Sequence, residues 1–82
     1  MKFMIEFHLK PGVKRAVVEA FDLRGPNRIP GVSFRGAWIG TRNDVIYVLG
    51  EGADEALIDK ACELWREHGD FEIVPVIDSE DF

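Results

Sequence analysis

The stretch Lys2-Phe3-Met4-Ile5-Glu6-Phe7-His8-Leu9 alternates without a break. In an extended chain Phe3, Ile5, Phe7 and Leu9 fall on one side and Lys2, Met4, Glu6 and His8 on the other. A period of two held over eight residues, rich in aromatic and branched side chains, specifies a β-strand. Its first face is apolar enough to lie beneath helices. Its second face mixes Met4 with ionisable groups, which suits a surface that is covered but not dry. Any chemistry the chain performs is expected along that second face.

The remaining elements follow from periodicity and punctuation. Lys10-Pro11-Gly12 breaks the strand. Val13, Ala16, Val17, Ala20 and Phe21 then recur at helical intervals, so a helix is expected from about Val13 to Arg24, stopped by Gly25-Pro26. The loop from Asn27 to Gly31, stiffened by Pro30, could hold Arg28 near a ligand but reads better as a connector. Val32 to Ile39 is expected as a second strand, with Val32, Phe34, Gly36 and Trp38 on one face and Ser33, Arg35, Ala37 and Ile39 on the other. Turn residues Gly40 to Asp44 join it as a hairpin to Val45-Ile46-Tyr47-Val48-Leu49. This third strand is apolar on both faces, which marks it as central. A second helix is expected from about Ala53 to His68, opened by Asp54 and Glu55 and closed by Gly69. Its stripe is Leu57, Ala61, Leu64, Trp65 and His68, with Trp65 as the anchor on the sheet. Phe71 to Ile77 forms a last strand, and Pro75, which has no N–H to donate, places it at an edge. Residues 78–82 form an acidic C-terminal tail.

The order is β-α-β-β-α-β, the ferredoxin-like α+β arrangement: a four-stranded antiparallel sheet with two helices on one face and the first and third strands central. Residues 1–82 are expected as one such domain. Both faces of the third strand are apolar, yet the helices cover only one. The other needs a cover that 82 residues do not supply, so a homodimer through the open sheet face is expected.

Composition narrows the function classes. The net charge of −5 argues against nucleic acid or an anionic membrane as partner. No apolar run approaches ~20 residues, so no transmembrane segment is expected. Cys62 is the one cysteine, which excludes an intrachain disulfide. It lies in the second helical pattern and reads as a buried, inert thiol. With no signal-like start, the expected location is cytoplasmic.

Few residues carry recognisable chemistry. Ser33 and Ser79 lie in no nucleophile motif. Gly50-Glu51-Gly52 begins like a dinucleotide loop but has Glu55 in the third glycine's place. Glu6 and His8 share a strand face, while His68 and Cys62 lie far along the chain without ligand spacing to them, so neither metal nor cofactor is expected. Trp38 and Trp65 could stack on a flat ligand, but Trp38 shares the face of Phe34 and Trp65 lies in a core stripe, so both read better as core. Glu6, His8, Arg35 and Tyr47 remain as ligand-binding candidates that could supply a base, a cation and a hydroxyl on one sheet face. The bland alternative is a hydrated polar patch or a set of dimer ion pairs.

Met1-Lys2-Phe3-Met4, Gly31-Val32 leading into a strand, and Gly36-x-Trp38 before a hairpin form one pattern. It continues with Glu55-Ala56-Leu57, Trp65, and Asp70-Phe71-Glu72-Ile73-x-Pro75-Val76. Over nearly its whole length the chain resembles a small family known as a domain of unknown function, number 3303 of that series, which looks like a member of the dimeric α/β-barrel superfamily. The resemblance implies pairing of open sheet faces. It transfers no catalytic residues. The wider superfamily includes cofactor-free monooxygenases, isomerases, haem-handling proteins and ligand-sensing domains, so fold does not choose among functions. The leading expectation is a homodimer binding a small, partly apolar molecule between its sheets. The alternatives are a cofactor-free enzyme of oxygenase or isomerase type with His8 as base, and a purely structural or interaction domain.

Overall fold

The computed structural model describes residues 1–24 and 29–82, with residues 22–24 described by their backbone. The expected helix stop at Gly25-Pro26 and the loop position of Arg28 lie outside the described residues. The order of elements is β1 (Lys2–Leu9), α1 (Lys14–Arg24), β2 (Ser33–Ile39), β3 (Val45–Glu51), α2 (Glu55–Cys62), a 3-10 helix (Glu63–His68) and β4 (Gly69–Val76), followed by a short 3-10 turn at Ser79–Asp81. The strands form one antiparallel sheet in the order β2-β3-β1-β4. This is the ferredoxin-like arrangement, with β1 and β3 in the middle and Pro75 on an edge strand, where its missing N–H costs no interior ladder bond.

The alternation of β1 becomes the division between core and surface. Phe3, Ile5, Phe7 and Leu9 are buried. With Val17 of α1, Ile46 and Val48 of β3, Ile58 and Cys62 of α2, and Trp65, they make one continuous core between sheet and helices. Full burial of each large apolar side chain contributes about 1.5–3 kcal/mol. Two aromatic stacks tie the layers together: Phe7 on Phe71 across adjacent strands, with centroids 4.1 Å apart, and Phe21 on Trp65 between the helical elements, at 4.6 Å.

The helices show where local patterning is overridden. In α1, Val17 is buried and Val13, Val18, Ala20 and Phe21 pack against the core, whereas Ala16, expected in the stripe, is exposed. A methyl group at the margin of the stripe contributes little to holding the helix in one rotation, so Val18 takes the contact. In α2, Asp54 is the N-cap, and its carboxylate accepts a hydrogen bond from the Leu57 N–H at 2.9 Å. The buried row is Ile58, Ala61, Cys62 and Trp65. Leu57 is half-buried, and Leu64, expected in the core, is 70% exposed. The α-helical pattern also stops at Cys62, and the chain tightens into a 3-10 helix to His68. The branched Ile58 and the aromatic Trp65, seven residues apart, set the rotation, and Leu64 is turned outward. Cys62 is buried, as expected. Among the described residues no helix is long and apolar enough to cross a membrane.

Strand β2 carries the largest departure. Phe34 pairs with Gly50, but the next step pairs Gly36 with Leu49, so Arg35 is an extra residue in a β-bulge. One inserted residue shifts side-chain parity. Phe34 faces the helices, while Gly36 and Trp38 face the open side. Trp38, expected in the core with Phe34, is therefore 56% exposed on the opposite face.

Candidate functional site

The open face is built from the even-numbered side chains of β1 and their register partners. Lys2, Met4, Glu6 and His8 stand opposite Glu51, Leu49, Tyr47 and Val45 of β3. On the other flank they stand opposite Val76, Val74, Glu72 and Asp70 of β4. The middle of this face is apolar and its ends are charged. Beyond the bulge, Trp38 aligns with Tyr47, which aligns with Glu6. Met4, Glu6, Trp38 and Tyr47 line a shallow, open depression. The floor beneath the indole is Gly36. A Cβ there would lie 2.8 Å from the Trp38 ring, so the absence of a side chain lets the ring lie flat on the strand. At the hairpin end the Asn43 side-chain amide donates to the Tyr47 hydroxyl at 3.1 Å, which orients the phenol. Asn43 Oδ1 also accepts from the Val45 N–H at 3.3 Å. The Lys14 ammonium of α1 bonds the carbonyls of Gly40 and Asn43, anchoring the hairpin from the helix side.

The charged groups fall into two separate sets. At one end Lys2 pairs with Asp78 at 2.9 Å and Arg35 with Glu51 at 3.0 Å. The hydrogen bond and charge of Asp78 push the Lys2 pKa upward. At the other end the His8 Nε2 atom lies 3.6 Å from Glu6 Oε1 and 3.9 Å from Glu72 Oε2. Glu6, His8 and Glu72 each present a potential metal-ligand atom, all within 4.8 Å of one another. Asp70, the register partner of His8, adds a further acid to this end.

Of the four residues singled out by the sequence, Glu6, His8 and Tyr47 share one face, with Tyr47 directly across from Glu6. Arg35 is not brought to them. The bulge carries it to the Lys2 end, where Glu51 occupies its guanidinium. Two neighbours, Trp38 and Glu72, stand outside the four candidates. Trp38 was hidden by the bulge, because strict alternation put it on the wrong face. Glu72 was hidden by register: the order β-α-β-β-α-β places the last strand beside the first, but only the pairing Glu6 to Glu72 brings the carboxylate to His8. His68 and Cys62 join neither set: His68 lies near Glu67, at 3.3 Å, and Cys62 is in the core.

Neither a curated protein nor a solved structure matches the chain significantly. The family described as a domain of unknown function (DUF3303) matches residues 1–82. By that full-length match, together with the four-stranded α+β fold it accompanies, the chain belongs to this family of undetermined function.

Proposed function

We propose that the protein is a homodimer of the dimeric α/β-barrel type that binds a small, flat, partly apolar molecule between its paired sheets. The observation that carries this reading is the depression lined by Met4, Glu6, Trp38 and Tyr47. An indole laid flat over glycine beside a thioether offers a stacking surface, and Glu6 and the Tyr47 hydroxyl offer polar contacts at its rim. On one chain this site is open, so enclosure requires a second copy. A pair closed over this face would bury ~800 Å² per partner, the size of a standard interface. A two-fold axis that lays β1 head to tail on its counterpart sets the acidic His8 end over the end that holds Lys2 and Arg35. A second reading, a cofactor-free enzyme with His8 as general base, is favoured by the Glu6 carboxylate 3.6 Å from the His8 nitrogen, near enough to tighten into an orienting hydrogen bond when a substrate is bound.

Binding is tested by titrating planar aromatic acids, amines and phenols against the protein and following Trp38 fluorescence in a Trp65→Phe background. The expected result is saturable quenching by at least one class, weakened about tenfold or more by Glu6→Gln. Saturable binding with turnover that is lost in His8→Ala selects the enzyme reading. No quenching by any class, or quenching undiminished in Glu6→Gln, overturns the site.

A further inference from the structure

Glu6 and Glu72 are direct partners on adjacent strands. Like charges at such positions repel at a Cβ separation of about 4.5–5.5 Å. Natural sheets place a lysine or arginine across from an acid far more comfortably. Here, among the described residues, no lysine or arginine lies within ion-pair distance of Glu6 or Glu72; Lys2, Arg35 and Arg66 pair instead with Asp78, Glu51 and Asp59. Among the described residues, the one basic group that approaches both carboxylates is the His8 imidazole, two residues along β1 from Glu6. The arrangement is therefore one imidazole nitrogen and two carboxylates, converging from two neighbouring strands of a rigid sheet.

We infer that Glu6, His8 and Glu72 form a binding site for a divalent first-row transition ion, Zn²⁺ being its representative, with the open side of the coordination sphere facing away from the sheet. The distances fit. In a tetrahedral zinc site with bonds of about 2.0–2.1 Å, ligand atoms lie about 3.3 Å apart. The His8 nitrogen lies 3.6 and 3.9 Å from the two carboxylate oxygens and all three ligand atoms fall within 4.8 Å of one another, so side-chain movements of up to about 1.5 Å close the set. Flexible glutamate side chains supply that movement while the strands stay still. The donor set selects the ion class. An imidazole with two carboxylates suits Zn²⁺, Mn²⁺, Co²⁺ or Fe²⁺, whereas Ca²⁺ and Mg²⁺ prefer oxygen alone. Three protein ligands leave at least one position for water or an external ligand. His8 is 46% exposed and the carboxylates 32% and 63%, so the ion can enter from solvent. The bound ion would also remove the repulsion between Glu6 and Glu72. The site is complete in one chain and does not depend on the proposed pairing; it shares Glu6 with the stacking depression and takes His8 and Glu72 from outside it.

The test is calorimetric titration of chelator-treated full-length protein with ZnCl₂ and CoCl₂, with millimolar Mg²⁺ present. One ion per chain is expected. His8→Ala and Glu72→Gln should each weaken binding by about tenfold or more, since even loss of an outer-shell partner costs 10–100-fold. His68→Ala, which alters the other histidine beside a carboxylate, should leave binding unchanged. Bound Co²⁺ should show visible absorption of a nitrogen- and oxygen-ligated ion without a thiolate charge-transfer band. Absence of binding, binding undiminished in both site variants, or binding lost in His68→Ala overturns the inference. Because the ratio of ion to chain is read independently of mass and of Trp38 fluorescence, failure here is separable from failure of the proposed function.

Discussion

Cys62 shows how one side chain records its surroundings. It sits at 4% exposure among Ile58, Trp65 and the sheet, and burial raises its pKa from 9.0 to about 11. Removing a thiolate from water costs far more than removing a thiol. The folded protein therefore holds the proton that the unfolded chain releases near pH 9. Between pH 9 and 11 the native state binds more protons than the unfolded state, so this contribution is full below about pH 9 and is lost as the pH rises through 11. Stability of the wild type, measured by urea unfolding, should fall relative to Cys62→Ala over that interval. At pH 8 the native thiol should react with a disulfide reagent at least ~100-fold more slowly than the urea-unfolded chain, since burial removes both ionisation and access. Fast native labelling would place the thiol outside the core. The burial of Cys62 and Trp65 was legible from their place in a helical pattern. The exposure of Leu64 was not, because hydrophobicity ranks Leu64 as core and only the packing of its larger neighbours turns it out.

At the scale of elements, most of the fold was written in local patterns, and the failures have two causes. Period-two and helical repeats located every long element, since each must bury one face. Bulges break the period without an obvious residue signal, so the parity of β2 beyond Arg35 could not be read, and with it the role of Trp38. Register between distant strands is also silent in the sequence, which is why Glu72 was missed while Glu6 and His8 were found. The junction of the 3-10 helix with β4 makes a sharper case. Gly69 lies opposite Leu9, and a Cβ on it would meet the His8 carbonyl oxygen at 2.1 Å and backbone carbons at 2.9 Å. The obstruction is the backbone of the central strand, which cannot step aside as a flexible side chain would. Its backbone is extended, so the constraint is close approach and not torsional strain. Gly69→Ala should destabilise by roughly 2–3 kcal/mol or more. The measurement is the urea midpoint, with an unchanged m value showing that the unfolding transition is the same. A shift below about 0.5 kcal/mol would mean that β4 can part from β1 at little cost.

At the scale of the whole molecule, the sheet order was legible because two strands carried positional marks: Pro75 on an edge and a third strand apolar on both faces. Val45, Ile46 and Val48 are buried, while Tyr47 and Leu49 are only half-buried on the open side. Together with Met4, Val74 and Trp38 they make a contiguous apolar field between the charged ends, and soluble chains seldom leave such a field in water. The proposed self-pairing would remove it from solvent, a closed two-fold using the same patch on both copies. Val74 probes this well. It is 40% exposed, stands opposite Met4, and lies outside the stacking depression and the Glu6–His8–Glu72 set. Val74→Lys places an ammonium in the apolar field without touching the helix-side core. A buried unpaired charge costs several kcal/mol per copy, enough to dissociate a pair of micromolar affinity. Light scattering at tens of micromolar should give twice the chain mass for the wild type and the single-chain mass for Val74→Lys, with matching far-UV circular dichroism. A wild type that stays monomeric at that concentration, or a Val74→Lys variant that still pairs, would show that this face is not the interface.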